Sequence, residues 1–227
     1  MTHHVDLFWS FRSPYSYLAL PRLIALEQDW DLRINVRPVR PLALRQPDFF
    51  EREDPLWMGY LLTDVLRLAE YLDMPIGLPS PDPVVMETDR KRAATVQPHI
   101  HRLTRIGLAA AETGQGLAAL HALSTRIWSG NPWSEPGMLE DALSSCGLDA
   151  SALIRAAESE ADRLDAVLAD NEAALTAAGH WGVPTLAHDG EAFFGQDRID
   201  LLVWRLKQSG LTARSEPHPA VSTLDGA

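Results

Sequence analysis

Strand, helix and strand follow one another within the first forty residues. Residues 5–9 are apolar except for Asp6 and read as a buried strand running into a turn. Residues 14–28 place Tyr17, Leu18, Leu20, Leu23, Ile24 and Leu26 at helical spacing, and residues 32–36 alternate Leu, Ile and Val with Arg33 and Asn35. A strand that returns through a helix to a second strand gives a parallel pair. The chain therefore opens as a βαβ unit and is expected to be an α/β protein.

The texture then changes. Residues 41–56 and 74–84 are rich in proline and acidic groups and read as loops, while 56–73, 97–128, 135–145 and 150–178 carry helical patterns. Gly114 and Gly116 are expected to break the second of these into two helices. With no strand signal, 41–179 reads as an all-helical insertion. Strands return at 183–187 and 192–194, joined by a hairpin turn at His188-Asp189-Gly190, and an amphipathic helix follows at 197–208. The order is βαβ, a helical block, then ββα. It divides the chain into a split domain (1–40 and 180–210), the insertion (41–179) and a loose C-terminal arm (211–227), where Pro217 and Pro219 lie in a polar stretch.

With 46% hydrophobic residues the chain can fill a sizeable core. Its net charge of −11 argues against a nucleic-acid surface, which needs a basic stripe. Arginines are clustered at Arg33, Arg37, Arg40 and Arg45 and again around Arg90, Lys91 and Arg92, either as solvated surface or beside a pocket for an acidic small molecule. No signal peptide is visible, and no run approaches the ~18 apolar residues of a membrane span. A cytoplasmic protein without a membrane partner is expected. Cys146 is the single cysteine, which excludes an intrachain disulfide and a dithiol centre. His99 and His101 stand two apart and make a poor metal pair on a helix, so no metal site is expected.

The chemistry is concentrated in Ser13-Pro14-Tyr15-Ser16, between the first strand and the first helix. Thioredoxin-like redox enzymes hold C-x-x-C at this place; here both sulfurs are oxygens, so disulfide exchange through these residues is excluded. A helix N-terminus still favours an anion, and a serine hydroxyl adds one donor. Stabilising a thiolate by ~1.4 kcal/mol lowers a thiol from about 8.5 by about one pKa unit. The alternative reading of Ser-Pro is a plain helix start, with Ser13 as N-cap and Pro14 at the first helical position.

Two further segments bear on that choice. Trp181-Gly182-Val183-Pro184-Thr185 puts a proline at the mouth of a central strand, where it costs a ladder hydrogen bond. Either it forms an ordinary turn, or Val183 offers its backbone to an extended peptide such as the cysteinyl residue of glutathione. Phe193-Phe194-Gly195-Gln196-Asp197-Arg198 opens the last helix. Asp197 is a good cap there, and the same place offers N–H groups for a carboxylate and an acid for an ammonium, both of which the γ-glutamyl end of glutathione carries.

Taken together, Phe8-Trp-Ser-Phe-Arg-Ser-Pro-Tyr-Ser-Tyr-Leu, Gly182-Val-Pro-Thr and Phe194-Gly-Gln-Asp-Arg resemble the 2-hydroxychromene-2-carboxylate isomerase family and its kin, the kappa-class glutathione transferases. The resemblance spans about residues 4–208. It implies a thioredoxin-like fold of the DsbA type, split by the helical insertion, with glutathione as cofactor and a homodimer. Ser13 matches the serine that assists the glutathione thiolate. Pro14 and Tyr15 flank it, Val183 and Pro184 match the residue and cis-proline that grip the tripeptide, and Gln196 and Asp197 match the pair on the γ-glutamyl group. One departure stands out. The family commonly carries a lysine and a Gly-Asn pair after the second strand, whereas here that loop reads Pro41-Leu-Ala-Leu-Arg-Gln-Pro-Asp-Phe-Phe, leaving Arg45, Gln46 or Asp48 as stand-ins. The expected substrate is a small aromatic electrophile, walled by Trp9, Phe11 and Trp57, with Arg12 or Arg40 on its carboxylate. His180 lies near this site or simply packs. The other activities open to such a chain are conjugation or peroxide reduction, and non-catalytic peptide or thiol binding.

Overall fold

The computed structural model describes residues 2–87, 89 and 91–215. β1 (His3–Trp9), α1 (Pro14–Asp29) and β2 (Leu32–Pro38) form the opening βαβ unit, with β1 and β2 parallel from His3 opposite Leu32 to Trp9 opposite Pro38. Near the other end lie β5 (Thr185–His188), β6 (Glu191–Phe194) and α10 (Ile199–Gln208). The four strands make one sheet in the order β2-β1-β5-β6, with β5 antiparallel to both neighbours. The βαβ and ββα halves expected from the sequence pattern thus meet at the β1–β5 pairing.

Local chemistry explains the boundaries. The hairpin between β5 and β6 turns on Asp189 (φ 47°) and Gly190 (φ 81°), two successive positive φ values of the kind a two-residue hairpin loop requires. β5 starts two residues later than the apolar pattern suggests, because Pro184 has no N–H to give a ladder. Along β1, Val5, Leu7 and Trp9 enter the main core while Phe8 points to the opposite face and packs with Leu175 and Val39.

Between the halves run α2 (Leu42–Arg45), α3 (Phe49–Arg52), α4 (Pro55–Tyr71), β3 (Met86–Glu87), β4 (Arg92–Ala93), α5 (Ile100–Glu112), α6 (Gly116–Trp128), α7 (Met138–Ser145), α8 (Ala150–Ser159) and α9 (Ala161–Ala177). The break between α5 and α6 falls at Gly114, in the left-handed region at φ 76°, as the sequence indicates. Three expectations are corrected. The insertion is not all-helical, because β3 and β4 pair antiparallel; two-residue strands are too short to show an alternation. The stretch 41–56 contains two four-residue helices as well as loop. The pattern at 150–178 is two helices, separated at Glu160 without a glycine or proline to announce it.

The insertion shares its core with the sheet. Leu103 and Ile106 of α5, Leu120 and Leu123 of α6 and Leu153 of α8 belong to the same buried cluster as Val5, Leu7 and Leu18. The expected loose arm is corrected at its start. Leu211 is buried, Ala213 bridges to Trp30, and the Arg214 N–H and guanidinium donate to the carbonyls of Asp29 (2.8 Å) and Leu32 (2.9 Å). The remainder of that arm, 216–227, lies outside the described residues.

Candidate functional site

Three segments meet at the N-terminus of α1. Ser13 has the extended backbone of an N-cap, Pro14 holds the first helical position, and the Ser13 Oγ accepts the Ser16 N–H at 3.2 Å. The capping reading is therefore correct, but the hydroxyl does more. It donates its proton to the Val183 carbonyl at 3.2 Å. That is long against the usual ~2.7–2.8 Å for an O–H···O bond, so a stronger acceptor can draw the proton away. The rest of the first turn is accounted for as follows. Pro14 has no N–H, Ser16 is satisfied by Ser13, and Tyr17 N–H donates to the Ser13 carbonyl. Tyr15 N–H is the first-turn donor that makes no hydrogen bond among the described residues.

The second segment is 180–185. The Val183–Pro184 bond is cis. Thr185 Oγ1 donates to the Gly182 carbonyl at 2.8 Å, and the Gly182 N–H donates to His180 Nδ1 at 2.8 Å. The imidazole stacks on Phe194 at 3.9 Å between ring centres and on Trp181 at 5.2 Å. Burial lowers the His180 pKa below the ordinary histidine value, so at neutral pH Nδ1 is a neutral acceptor and the stack is uncharged. Gly182 is required here, because a Cβ would overlap the Phe194 ring.

The third segment opens the last helical stretch. Gly195 N–H donates to the Pro184 carbonyl at 2.9 Å, which ties this turn to the cis-proline. Gly195 sits at φ 107°, and Gln196–Arg198 form a single 3-10 turn before α10. The Gln196 side-chain carbonyl accepts from Arg22 of α1. Asp197 Oδ2 pairs with Arg198 at 2.7 Å, and Asp197 lies close enough to Tyr15 to act on its ionisation. Tyr15 donates to Asp64 of α4 at 2.8 Å, and burial together with Asp64 holds the phenol protonated well above its ordinary range.

Ser13, Pro14, Tyr15, Val183, Pro184, Gln196 and Asp197 are thus brought together. The expected substrate wall is only partly so. Trp9 and Phe11 are 0% and 1% exposed, facing the core, and Phe11 lies against Gly107 of α5. They cannot wall a pocket. Arg40 is taken by Glu172 of α9 through its backbone N–H and its guanidinium. Arg12, by contrast, stands next to Ser13, grips Asp82 with two N–H groups at 2.8 Å each, and lies 5.6 Å from the Phe50 ring centre. Trp57 belongs to an aromatic cluster with Phe49, Phe50 and Trp181 at centre distances of 5.3–6.3 Å. The cluster is joined to the Ser13–Val183 contact along the chain, through Arg12, which lies over Phe50, and through Trp181, which packs on Phe49.

Among the expected stand-ins for the family asparagine, Arg45 donates to the carbonyls of Arg40 (2.7 Å) and Trp181 (2.8 Å) and so anchors the loop. Asp48 pairs with Arg52 and Arg92, and Gln46 lines an open cavity of about 310 Å³ together with Asp48 and Phe49. Sequence reasoning missed Arg22, Asp64, Phe49 and Phe50, which no short motif marks. Cys146 caps α7, which packs mainly on α6 and α8, and burial raises its thiol pKa. Among the described residues no group of three or more His, Cys, Asp and Glu is placed to hold a metal, and no helix is long and apolar enough to cross a membrane.

The sequence profile of the DSBA-like thioredoxin domain matches residues 4–207. The chain belongs to this family. Within it, the chain is 27% identical over 210 residues to the human protein named glutathione S-transferase kappa 1, covering 87% of this chain and 88% of that one. It is also 27% identical over 207 residues to 2-hydroxychromene-2-carboxylate isomerase of Sphingobium xenophagum, covering 89% and 97% of the two chains. A solved 2-hydroxychromene-2-carboxylate isomerase superposes with a TM-score of 0.60 at 23% identity, covering 91% of this chain and 95% of that one. The DsbA-type fold follows, and the relatives named are enzymes. At the start of α1 this chain carries Ser13 and Ser16, and its single cysteine, Cys146, lies in the insertion.

Proposed function

We propose that this protein is a glutathione-dependent isomerase of the 2-hydroxychromene-2-carboxylate type, acting on an aromatic carboxylated electrophile. The observation that carries the reading is the Ser13–Val183 contact at the start of α1, with the Gln196-Asp197 turn tied to it through Pro184. The donor set fits glutathione. The Val183 backbone suits the cysteinyl amide, and Ser13 with the Tyr15 N–H suits a thiolate. The second oxygen of Asp197 suits an ammonium, since one carboxylate accepts several bonds, and the Gln196 amide suits a carboxylate.

When bound, glutathione supplies a thiolate that adds to a conjugated centre and is later expelled unchanged. The chain's own part is electrostatic and geometric. With the Val183 carbonyl engaged by a bound amide, the Ser13 hydroxyl, which donates to that carbonyl here, would be free to donate to a thiolate. The α1 N-terminus adds its partial positive charge. Phe50, Trp57 and Trp181 offer ring faces to a flat substrate, and Arg12 exchanges Asp82 for the substrate carboxylate. Neutral His180 keeps the loop before Pro184 in place without adding charge.

A second reading, conjugation by a kappa-like transferase, is supported by the equal identity to the human relative. Following free glutathione during turnover separates the two, because an isomerase leaves it constant and a transferase consumes it. The proposal places the protein in the cytoplasm as a homodimer. Support for pairing comes from α4, which exposes Leu56 (81%) and Leu66 (59%); sedimentation at equilibrium tests it. The central test is the ultraviolet thiolate absorbance of bound glutathione against pH. A midpoint about one unit below the ordinary ~8.5 is expected, and a midpoint at or above that value would overturn the mechanism.

A further inference from the structure

Arg22 lies on the same helix as Ser13, nine residues further along, and reaches the opposite end of the candidate site. Its Nη2 donates to the Gln196 side-chain oxygen. A guanidinium carries five donors and no acceptor, so it fixes which way the amide points: the carbonyl must face Arg22 and the NH2 group must face away. Left alone, a glutamine on a surface turn can rotate its amide and present either a donor or an acceptor. Arg22 is half-buried, its Nε is shielded without a partner, and burial lowers its pKa while Asp200 and Asp197 raise it. A guanidinium remains a cation at neutral pH. Contacts between α1 and the 3-10 turn of Gln196–Arg198 hold the two residues in register.

We infer that Arg22 is a positioning and specificity residue: by engaging the Gln196 carbonyl it leaves that amide a donor only, and so makes the turn select a carboxylate. Division of labour on the γ-glutamyl group follows. Gln196 N–H groups take the α-carboxylate and Asp197 takes the ammonium, with no freedom to exchange roles. The inference rests on the glutathione reading and adds to it a residue that touches no ligand. It also makes α1 the common support of the thiolate end and the carboxylate end.

The test is calorimetric titration of the full-length protein with three ligands: reduced glutathione, γ-aminobutyryl-cysteinyl-glycine, which lacks the α-carboxylate, and glutaryl-cysteinyl-glycine, which lacks the ammonium. Wild type is expected to favour glutathione over the decarboxylated analogue by about tenfold or more, the usual weight of a hydrogen bond to a charged group. In Arg22→Met that preference falls to within about twofold while the preference for the ammonium is kept; Arg22→Lys, again a donor-only cation, recovers most of it. Arg22→Gln serves as a second variant should Arg22→Met fold poorly. Its amide carries both a donor and an acceptor, so Gln196 is again free to present either atom, and the carboxylate preference is expected to fall as in Arg22→Met. An unchanged preference in both variants would overturn the inference alone. A wild type that does not bind glutathione would overturn the reading on which it rests as well. A general loss of structure would weaken all three ligands alike, so the ratio between them is the decisive quantity.

Discussion

Around Ser13 the site is made of backbone: a helix start, the Val183 carbonyl, a cis-proline and a 3-10 turn, joined by hydrogen bonds of 2.9–3.2 Å. Around Trp57 it is made of ring faces from α3, α4 and the 180–182 loop, with Arg12 held by Asp82 at the border. The first half needs particular residues because a chain geometry demands them. The second needs only flat apolar surface and one cation, which many sequences supply. On the proposed reading, one half fixes how a thiol is held and the other sets which electrophile is accepted.

The largest effect should come from Ser13. Ser13→Gly keeps the helix start within a few tenths of a kcal/mol, since glycine is a tolerated N-cap, but removes the hydroxyl. The expected result is a fall in kcat of about 100-fold, the weight of one donor aimed at developing charge, with an unchanged melting temperature and a higher thiol pKa in the complex. A kcat that follows only the loss of stability would return Ser13 to a plain cap.

Next in size is the wall. Trp57→Ala should raise KM for an aromatic electrophile by about three- to tenfold, in keeping with ~0.5–1.5 kcal/mol for aromatic contacts, and leave glutathione affinity alone. If both ligands weaken together, the two halves are not separable. The border is tested by Asp82→Asn, which frees Arg12. Affinity for an anionic electrophile should rise a few-fold and fall again in Arg12→Met, as measured by competition with an aromatic carboxylate. Cys146→Ser should leave turnover untouched, since burial keeps that thiol protonated away from the site.

The smallest effect concerns pH. Burial lowers the pKa of His99, His101, His121 and His180. Between those lowered values and the unfolded value of about 6.5 the unfolded chain binds more protons than the folded one. The part of the stability linked to these histidines is therefore complete above about pH 6.5 and is lost as the pH falls. The melting temperature should drop between pH 7 and pH 5, a little less steeply in His180→Gln; an equal slope would show that His180 is no part of this loss.

The same contrast explains what could be read in advance. Ser13, Val183-Pro184 and Gln196-Asp197 stand out in the sequence because proline, glycine and capping residues mark backbone geometry locally. Trp9 and Phe11 misled, because alternation on β1 places Trp9 on the core side and a loop residue's direction is set by tertiary packing. Arg40 looked free and is held by Glu172, 132 positions away. Phe50 and Arg22 carried no local sign; their roles depend on partners brought in by the fold. The two-residue strands β3 and β4 fall below the length at which a period can be seen.

The most direct test of the account is calorimetric titration of the wild-type protein with reduced glutathione. Saturable one-to-one binding by millimolar concentration, releasing protons as the thiol ionises against Ser13, is the predicted result. No heat of binding at that concentration would contradict the central claim.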